Sequence, residues 1–432
     1  MIKVSVILPS LNVADYIEEC IRSAMNQTLK NLEIISVDAG SEDGTVEILK
    51  KCEQEDSRIK LLTSGLKSYG KQVNMGIEAA KGEYIAILET DDFVDLHMYE
   101  DLYNVAKKNN ADFVLADFDR FFENEKGIRE RITINTWKDN PEIYGKILKA
   151  KELSELYHIN PNLWRGIYKK KFIVNNNIRL NETFGAAYQD ICYMHRVIMH
   201  AKRALFVPES YYRYRIDREG SSVNSVKGLQ YSYQEYKLLL EKSEVVKGYE
   251  SRIFCLMAIS FIREIIQINP RMTKNWKEDN IVYYIWFKAQ LLDSIKKGFV
   301  NEKLLGIYNW RKLKLLLSSF DDFLFTIKYP GNTASILQKI GNVGIIIFGA
   351  GKLGHFLFDK LKDIVSIDAF CDNKKSLWNT EIKGKLILSL EKCLINYPDN
   401  TYLIAINNHS ELIERQLIEM GIPENKIFKY MP

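Results

Sequence analysis

Three short polar segments in the first hundred residues have the composition needed to hold phosphate and a metal ion. They read Pro9-Ser10-Leu11-Asn12, Asp38-Ala39-Gly40-Ser41-Glu42-Asp43-Gly44 and Glu89-Thr90-Asp91-Asp92. Each follows a short run of apolar residues that reads as a strand. In open α/β sheets, ligands bind beyond the carboxyl ends of strands, where loops converge and helix N-termini offer free N–H groups to anions. Two acidic loops facing each other there repel unless a cation or a hydrogen-bonded ligand lies between them. A hard divalent ion, Mg²⁺ or Mn²⁺, bridging to phosphates meets that requirement with one or two protein carboxylates. An Asp-Asp pair by itself is more often a solvated turn, so the argument rests on the order of the three loops.

The elements that must position these loops follow from periodicity. Lys3–Leu8, Leu32–Val37 and Tyr84–Leu88 read as strands. Between the first two, Ile17, Cys20, Ile21 and Ala24 recur at helical spacing and mark one buried stripe. This alternation predicts stacked β-α units around a largely parallel sheet. From about 100 to 225 the pattern is mixed: strand-like Phe113–Ala116, an irregular polar stretch over 119–145, and aromatic segments at Trp164–Tyr168 and Tyr211–Tyr214. Residues 226–335 lack alternation and hold long amphipathic runs, Arg252–Ile268 and Ile281–Ile295, which predicts a helical connector. Strand and helix patterns return in 336–432, as expected of a small Rossmann-like domain. The expected fold class is therefore α/β, with domains at 1–225, 226–335 and 336–432.

Residues 1–100 carry 10 Lys/Arg against 18 Asp/Glu, whereas residues 101–342 carry 39 against 27. An acidic front end suits a carboxylate-held metal better than a nucleic-acid duplex, and no nucleic-acid partner is expected. The 6 cysteines are scattered without a close pair, which suggests neither a zinc ribbon nor a disulfide framework and fits a reducing compartment. No signal-peptide pattern opens the sequence, and apolar runs such as Ile345–Phe348 are far shorter than a membrane span. The expected location is cytoplasmic, with any membrane contact peripheral at the inner face. The Lys-, Tyr- and Trp-rich stretch around 275–316 could supply such a contact or simply pack as a helix face.

With Gly70-Lys71-Gln72-Val73-Asn74-Met75-Gly76 and Ala80-Lys81-Gly82-Glu83-Tyr84-Ile85-Ala86-Ile87-Leu88 added to the loops, residues 1–225 resemble the family 2 glycosyltransferases. The resemblance implies a GT-A fold and an inverting, metal-dependent transfer of a sugar from a nucleoside-diphosphate donor to an acceptor hydroxyl. UDP is the commonest donor nucleotide of that family. By the same resemblance, Pro9, Asn12 and Asp38 line the nucleoside pocket, with Asp38 accepting a hydrogen bond from the base. Turn chemistry is the other account of Pro9 and Asn12. Lys71 reaches the pyrophosphate, or is a solvated loop lysine. The family's usual Asp-x-Asp is Glu89-Thr90-Asp91 here, which makes Asp91 the metal ligand, with Asp92 beside it, and leaves Glu89 for a sugar or ribose contact.

Inversion also requires a general base for the acceptor hydroxyl. Gly185-Ala186-Ala187-Tyr188-Gln189-Asp190-Ile191-Cys192-Tyr193 resembles the family segment that carries it, making Asp190 the candidate; an N-terminal helix cap is its other role. Trp164 is placed to stack on an acceptor sugar or to pack in the core. Tyr212-Arg213-Tyr214-Arg215, followed by Glu219 to Val223, resembles a loop near the donor phosphates, with Arg213 as the candidate contact; covering a surface is the other role of these arginines. His195 and His200, within one helical run, read as structural. In the last ninety residues Gly349-Ala350-Gly351-Lys352-Leu353-Gly354, with Asp372 ending the next strand, is a dinucleotide fingerprint in its required context. No hydride-transfer constellation accompanies it. Two alternatives therefore stand beside the transferase: a non-catalytic nucleotide-sugar-binding protein, and an NAD(P)-dependent oxidoreductase acting through Gly349, Gly351, Gly354 and Asp372. The expected acceptor is a glycan or lipid-linked glycan of a bacterial cell-surface polysaccharide.

Overall fold

The computed structural model describes the chain except residues 125–126, 150–161, 219–224, 242–246, 269–274, 329–331, 341–342, 407–409 and 431–432. The chain forms two compact units, Met1–Leu313 and Lys314–Pro432.

The first unit is built on a sheet with nine strands among the described residues: β1 (Val4–Ser10), β2 (Leu32–Asp38), β3 (Ile59–Thr63), β4 (Tyr84–Ile87), β5 (Phe93–Val94), β6 (Phe113–Glu123), β7 (Arg129–Ile134), β8 (Gly166–Lys169) and β9 (Ala204–Arg215). Their spatial order is β3-β2-β1-β4-β8-β6-β9-β5, with β7 hydrogen-bonded to β6. β1 to β4 run parallel, β8 is antiparallel to both of its neighbours, and β6 and β9 are parallel to each other.

Helices α1 (Ala14–Met25), α2 (Thr45–Glu55) and α4 (Met98–Asn109) cover one face of the sheet; α3 (Tyr69–Ala79) and α6 (Gln189–His200) cover the other, while the short α5 (Lys170–Asn175) follows β8. Alternation in β1 shows why both faces need cover. Val4, Val6 and Leu8 pack with Ile17, Leu49 and Leu102, whereas Ile7 points the other way, to Val73 and Ile77. A strand apolar on both sides belongs between two helical layers.

The sequence patterns place β1, β2 and β4 to within about two residues, the usual uncertainty of element ends. They miss β3 and most of β6, and the polar stretch over 119–145 contains β7. The exposed Arg129-Glu130-Arg131 of β7 alternates with nothing buried, which is why it carries no strand signal.

Beyond β9 come α7 (Gly228–Glu241), α8 (Glu250–Ile268), α9 (Trp276–Lys296) and α10 (Glu302–Ser318), the last interrupted at Gly306, whose φ is 73°. Phe261 of α8 stacks on Phe287 of α9 at 4.9 Å, and His195 of α6 hydrogen-bonds Tyr236 of α7 at 3.0 Å. Helices α7 to α9 thus extend the core of the first unit, and the division between units falls at Leu313, inside the stretch 226–335.

The second unit carries α11 (Phe320–Lys328) and α12 (Thr333–Ile340), then strands β10 (Ile345–Phe348), β11 (Ile367–Cys371), β12 (Glu381–Ile382), β13 (Lys385–Leu388), β14 (Thr401–Ile404) and β15 (Ile427–Lys429) in the order β12-β13-β11-β10-β14-β15. Apart from the β12–β13 hairpin the pairs are parallel. Helices α13 (Lys352–Leu361), α14 (Leu390–Asn396) and α15 (Ser410–Glu419) alternate with them. This is a small doubly wound sheet, as the sequence led us to expect.

Gly166 is where backbones approach most closely in the middle of the large sheet. A Cβ there would stand 2.1 Å from the Val114 carbonyl oxygen and 2.7 Å from Leu115 Cδ2. Gly166→Ala is expected to destabilise the first unit by about 1–3 kcal/mol through forced separation of β8 from β6. Urea unfolding followed by far-UV dichroism measures this; an unchanged midpoint would show that the strands part freely.

Candidate active site

The ends of β1 and β2 are stitched together by polar side chains. Asp38, 2% exposed, accepts the Gly40 and Ser41 N–H groups at 2.8 and 2.9 Å on one oxygen. Its other oxygen accepts Ser41 Oγ at 2.5 Å and Ser10 Oγ at 3.2 Å. Asn12, at φ 51°, donates its N–H to Ser41 Oγ and accepts the Glu42 N–H on its side-chain oxygen. The N-terminus of α1 is capped from the neighbouring loop, because Val13 N–H reaches Thr45 Oγ1 and Ala14 N–H reaches Asp43. Gln72 of α3 closes the group by donating to the carbonyls of Ser10 and Val37, both at 2.7 Å. Asp38 therefore shapes its loop with both oxygens already engaged, and Asn12 plays the turn role. Pro9 is buried at the end of β1, where its carbonyl accepts Thr90 Oγ1 at 3.0 Å and ties this loop to the acidic one.

The acidic loop after β4 is clamped by β9. Asp92, 2% exposed, accepts Tyr212 Oη and the Arg215 N–H, each at 2.8 Å and each on a different oxygen. Tyr212 Oη also accepts the Glu89 N–H at 3.1 Å. Asp92 is thus a brace rather than a metal ligand, since both oxygens are taken and water is excluded. Burial, reinforced by the charge of Asp91, pushes its pKa well above the ordinary carboxylate range.

Asp91 faces outward. One oxygen accepts Arg218 Nη1 at 2.8 Å and its side chain is 24% exposed. Its other oxygen has no hydrogen bond among the described residues. That single available carboxylate fits a divalent ion whose remaining ligands come from diphosphate and water. Among the described residues no group of three or more His, Cys, Asp or Glu could hold a metal by itself.

Glu89 links this loop to helix α3. Its Oε1 accepts Tyr69 Oη at 2.5 Å. Burial raises its pKa to about 8, the Tyr69 hydrogen bond pulls it back, and the charges of Asp91 and Asp190 push it further up. Tyr69 begins α3, and through it the loop after β4 is tied to the segment that leads into α6. Asp190 is the second residue of α6, while Tyr188 holds the N-cap position without a side-chain cap bond. Burial raises its pKa to about 6 against the opposing field of Arg263. The loop before α6 is fixed on the start of α3 by mutual backbone bonds, Tyr69 N–H to Gly185 O at 2.9 Å and Gly185 N–H to Lys67 O at 2.8 Å. Gly70 is required at this contact, for a Cβ would lie 2.0 Å from the Asn181 carbonyl oxygen.

Other expected contacts fall elsewhere. Arg213 is 5% exposed, with its guanidinium on Asp95 and Asp119, so it cannot reach a phosphate. The arginines at the acidic loop are Arg215, whose Nε donates to the Asp91 carbonyl at 3.1 Å, and Arg218. Strand alternation does not choose among them; Asp92 does, by accepting the Arg215 N–H. Residues 219–223, named with them, lie outside the described residues. Trp164 is 5% exposed and its ring stacks on Tyr212 at 4.2 Å and Tyr214 at 5.1 Å, so it packs in the core and presents no surface for a sugar. Lys71 pairs with Glu182 at 3.3 Å while remaining 37% exposed.

In the second unit Asp372 accepts the Ala350 N–H at 2.9 Å and the Lys374 N–H at 2.8 Å, bracing the glycine turn itself. Gly349 is at φ 114°, and a Cβ on Gly354 would lie 2.0 Å from the Gly349 carbonyl, so helix α13 starts hard against the turn. Gly351 has open space around its Cβ position.

A curled mixed sheet with donor-type loops at the ends of β1, β2 and β4 defines a GT-A transferase. Residues 5–172 match the model of glycosyl transferase family 2, and residues 341–428 match a model described as C2185-like, N-terminal. The uncharacterised glycosyltransferase YibD of Escherichia coli is 30% identical over 250 residues, 56% of this chain and 70% of that protein. The cholesterol galactosyltransferase of Borreliella burgdorferi is 30% identical over 243 residues, 53% of this chain, and the match spans 64% of its length. Among solved structures, S. aureus TarS 1–349 in complex with UDP superposes with a TM-score of 0.52 at 16% identity, covering 73% of this chain and 91% of that one. The chain belongs to the family 2 glycosyltransferases. It is a nucleotide-sugar transferase with the GT-A fold.

Arg218 pairs with Asp91 at 2.8 Å and keeps 29% of its side chain exposed. Arg218→Gln is expected to weaken nucleoside-diphosphate binding about tenfold by removing a charge-assisted phosphate contact, while the melting temperature stays near wild type. Calorimetric titration with UDP checks it; wild-type affinity would take Arg218 out of the donor site.

Proposed function

We propose that the protein is an inverting, metal-dependent glycosyltransferase that uses a UDP-sugar and acts on a glycan or lipid-linked glycan hydroxyl in cell-surface polysaccharide synthesis. The observation that carries the proposal is that Tyr69, at the start of α3, hydrogen-bonds Glu89 of the acidic loop through its hydroxyl and the loop leading to Asp190 through its backbone N–H, which joins Asp91's loop to the start of α6. Support for the nucleotide comes from the UDP held by the matching TarS structure. Support for the acceptor class comes from relatives such as a poly(ribitol-phosphate) β-N-acetylglucosaminyltransferase of Staphylococcus aureus. No helix among the described residues is long and apolar enough to cross a membrane, and work at the cytoplasmic face with peripheral contact is the matching location.

In this reading the donor diphosphate lies against Asp91 and Arg218. Mg²⁺ or Mn²⁺ on Asp91, when bound, supplies charge neutralisation for the leaving nucleoside diphosphate. Asp190 takes the acceptor hydroxyl proton as that oxygen attacks the anomeric carbon from the face opposite the leaving group. One C–O bond forms, the C–O bond to diphosphate breaks, and the configuration inverts. Arg215 and Tyr212 hold the acidic loop in place. Glu89, kept on Tyr69, sits between donor and base, where a sugar hydroxyl would reach it.

Two measurements test the assignment. Asp190→Asn is expected to lower kcat by about 10²-fold or more with donor affinity retained, and wild-type turnover in that variant would remove the base. The base must be ionised, and its pKa is about 6. Log kcat/KM should therefore rise with slope one up to about pH 6 and level off above it. A profile flat from pH 5 to 8 would assign the proton transfer to another group. Separately, chelation with EDTA should abolish turnover and Mn²⁺ or Mg²⁺ restore it; full activity in chelator would remove the metal.

A further inference from the structure

Two residues of helix α8 stand at the turn that carries Asp190. Glu264, 3% exposed, accepts Tyr188 Oη at 2.7 Å on one oxygen. Its other oxygen receives Arg263 Nη2 at 3.1 Å and Nε at 3.3 Å. Tyr188 immediately precedes α6 and has φ 69°, ψ 0°, a left-handed conformation that a bulky side chain keeps only when its surroundings hold it. Its ring lies 5.8 Å from that of Tyr231 on α7. Gly228, where α7 begins, leaves the space for this contact, since a Cβ would fall 2.4 Å from Glu264 Oε2 and 2.8 Å from Tyr188 Oη. The turn held in this way places Asp190 two residues further on.

The charged and titratable groups around Asp190 come from every side. Tyr69 and Glu89 face it from α3 and the acidic loop, Tyr168 from β8, Tyr188 from the residue before its helix, Cys192 from the helix itself, Glu235 from α7 and Arg263 from α8. All but Arg263 are neutral or negative. Arg263, together with the N–H groups of Asp190 and Ile191, offsets these surroundings for an ionised Asp190, and Glu264 holds that guanidinium by an ion pair at 3.1 Å.

We infer that the chain Tyr188–Glu264–Arg263 positions the Asp190 base, so that helix α8, outside the matched family region, is a working part of the acceptor site. The inference rests on the assignment of Asp190 above. Glu264 and Arg263 are positioning residues; neither touches the reacting atoms.

The test uses the full chain with Tyr188→Phe, Glu264→Gln, Arg263→Gln and Arg263→Lys, alongside Asp190→Asn. Ser260→Ala serves as a control, because Ser260 bonds Tyr236 at 3.0 Å within the same helical layer. Tyr188→Phe and Glu264→Gln are expected to lower kcat about tenfold with donor KM nearly unchanged, an effect on chemistry rather than on donor binding. Removing a positive charge disfavours the carboxylate, so Arg263→Gln moves the acid limb of kcat/KM to higher pH and Arg263→Lys restores it. Ser260→Ala lowers the melting temperature alone. Should Glu264→Gln fail to fold, Tyr188→Phe, which deletes one oxygen, carries the test. Wild-type kcat and pH profile in Tyr188→Phe and Arg263→Gln, with Asp190→Asn inactive, would overturn the positioning role. A loss of kcat that merely follows melting temperature, Ser260→Ala included, would overturn it too. Turnover retained by Asp190→Asn would instead remove the base on which it rests.

Discussion

Asp92 is the constraint on which the rest of the site depends. Its buried carboxylate joins the loop after β4 to strand β9 through Tyr212 Oη and the Arg215 N–H. A carboxylate this deep is tolerable only because each oxygen has a donor, and removing either donor would leave a buried acceptor unsatisfied. The bond sets the direction of the whole loop. With Asp92 turned inward, its neighbour Asp91 must face outward, and Arg215 and Arg218 are delivered to the same edge from a strand 120 residues away in the chain. Donor chemistry and sheet closure are thus one arrangement.

The alternation of apolar runs and polar loops made the order β1, β2, β4 legible, along with the loops at their ends, because each strand is apolar on both faces and each loop carries distinctive turn residues. The same signal found the small second sheet. What periodicity could not reveal was which side chains the fold would consume internally. Asp38, Asp92 and Asp372 all have the residue type and position of ligand-binding groups, yet each spends its oxygens on neighbouring N–H or hydroxyl groups. Local sequence leaves Trp164 between sugar stacking and core packing and points Arg213 at a phosphate for a related reason: their partners, Tyr212, Tyr214, Asp95 and Asp119, lie on or beside other strands. Those pairings come from the register of β9 against β5 and β6, which is not written in local sequence.

Asp190 shows the opposite case. Its type and its place at a helix start are consistent with a cap, and it does occupy the first turn of α6. What sets it apart from an ordinary helix-start residue is its buried environment, with groups from the loop after β4, α3, α7 and α8, a set of elements that no window of the sequence brings together. The helices after residue 226 look like a linking stretch when read linearly. In three dimensions α7 and α8 form the wall behind that first turn, and their buried charges, Glu235, Glu264 and Arg252, are unusual for helices that only connect.

The position of β8 bears on how the chain can be made. β8 lies between β4 and β6 in the sheet, although it follows both in sequence. On a growing polypeptide the first four parallel units can assemble, but the edge of β4 stays open until Gly166 to Lys169 have emerged, and β6 has no partner on that side until then. Open edges of apolar strands are where nascent chains join wrongly. A translational pause within the hundred residues before β8 would lengthen that exposure, whereas one after β9 would leave a closed sheet already in place.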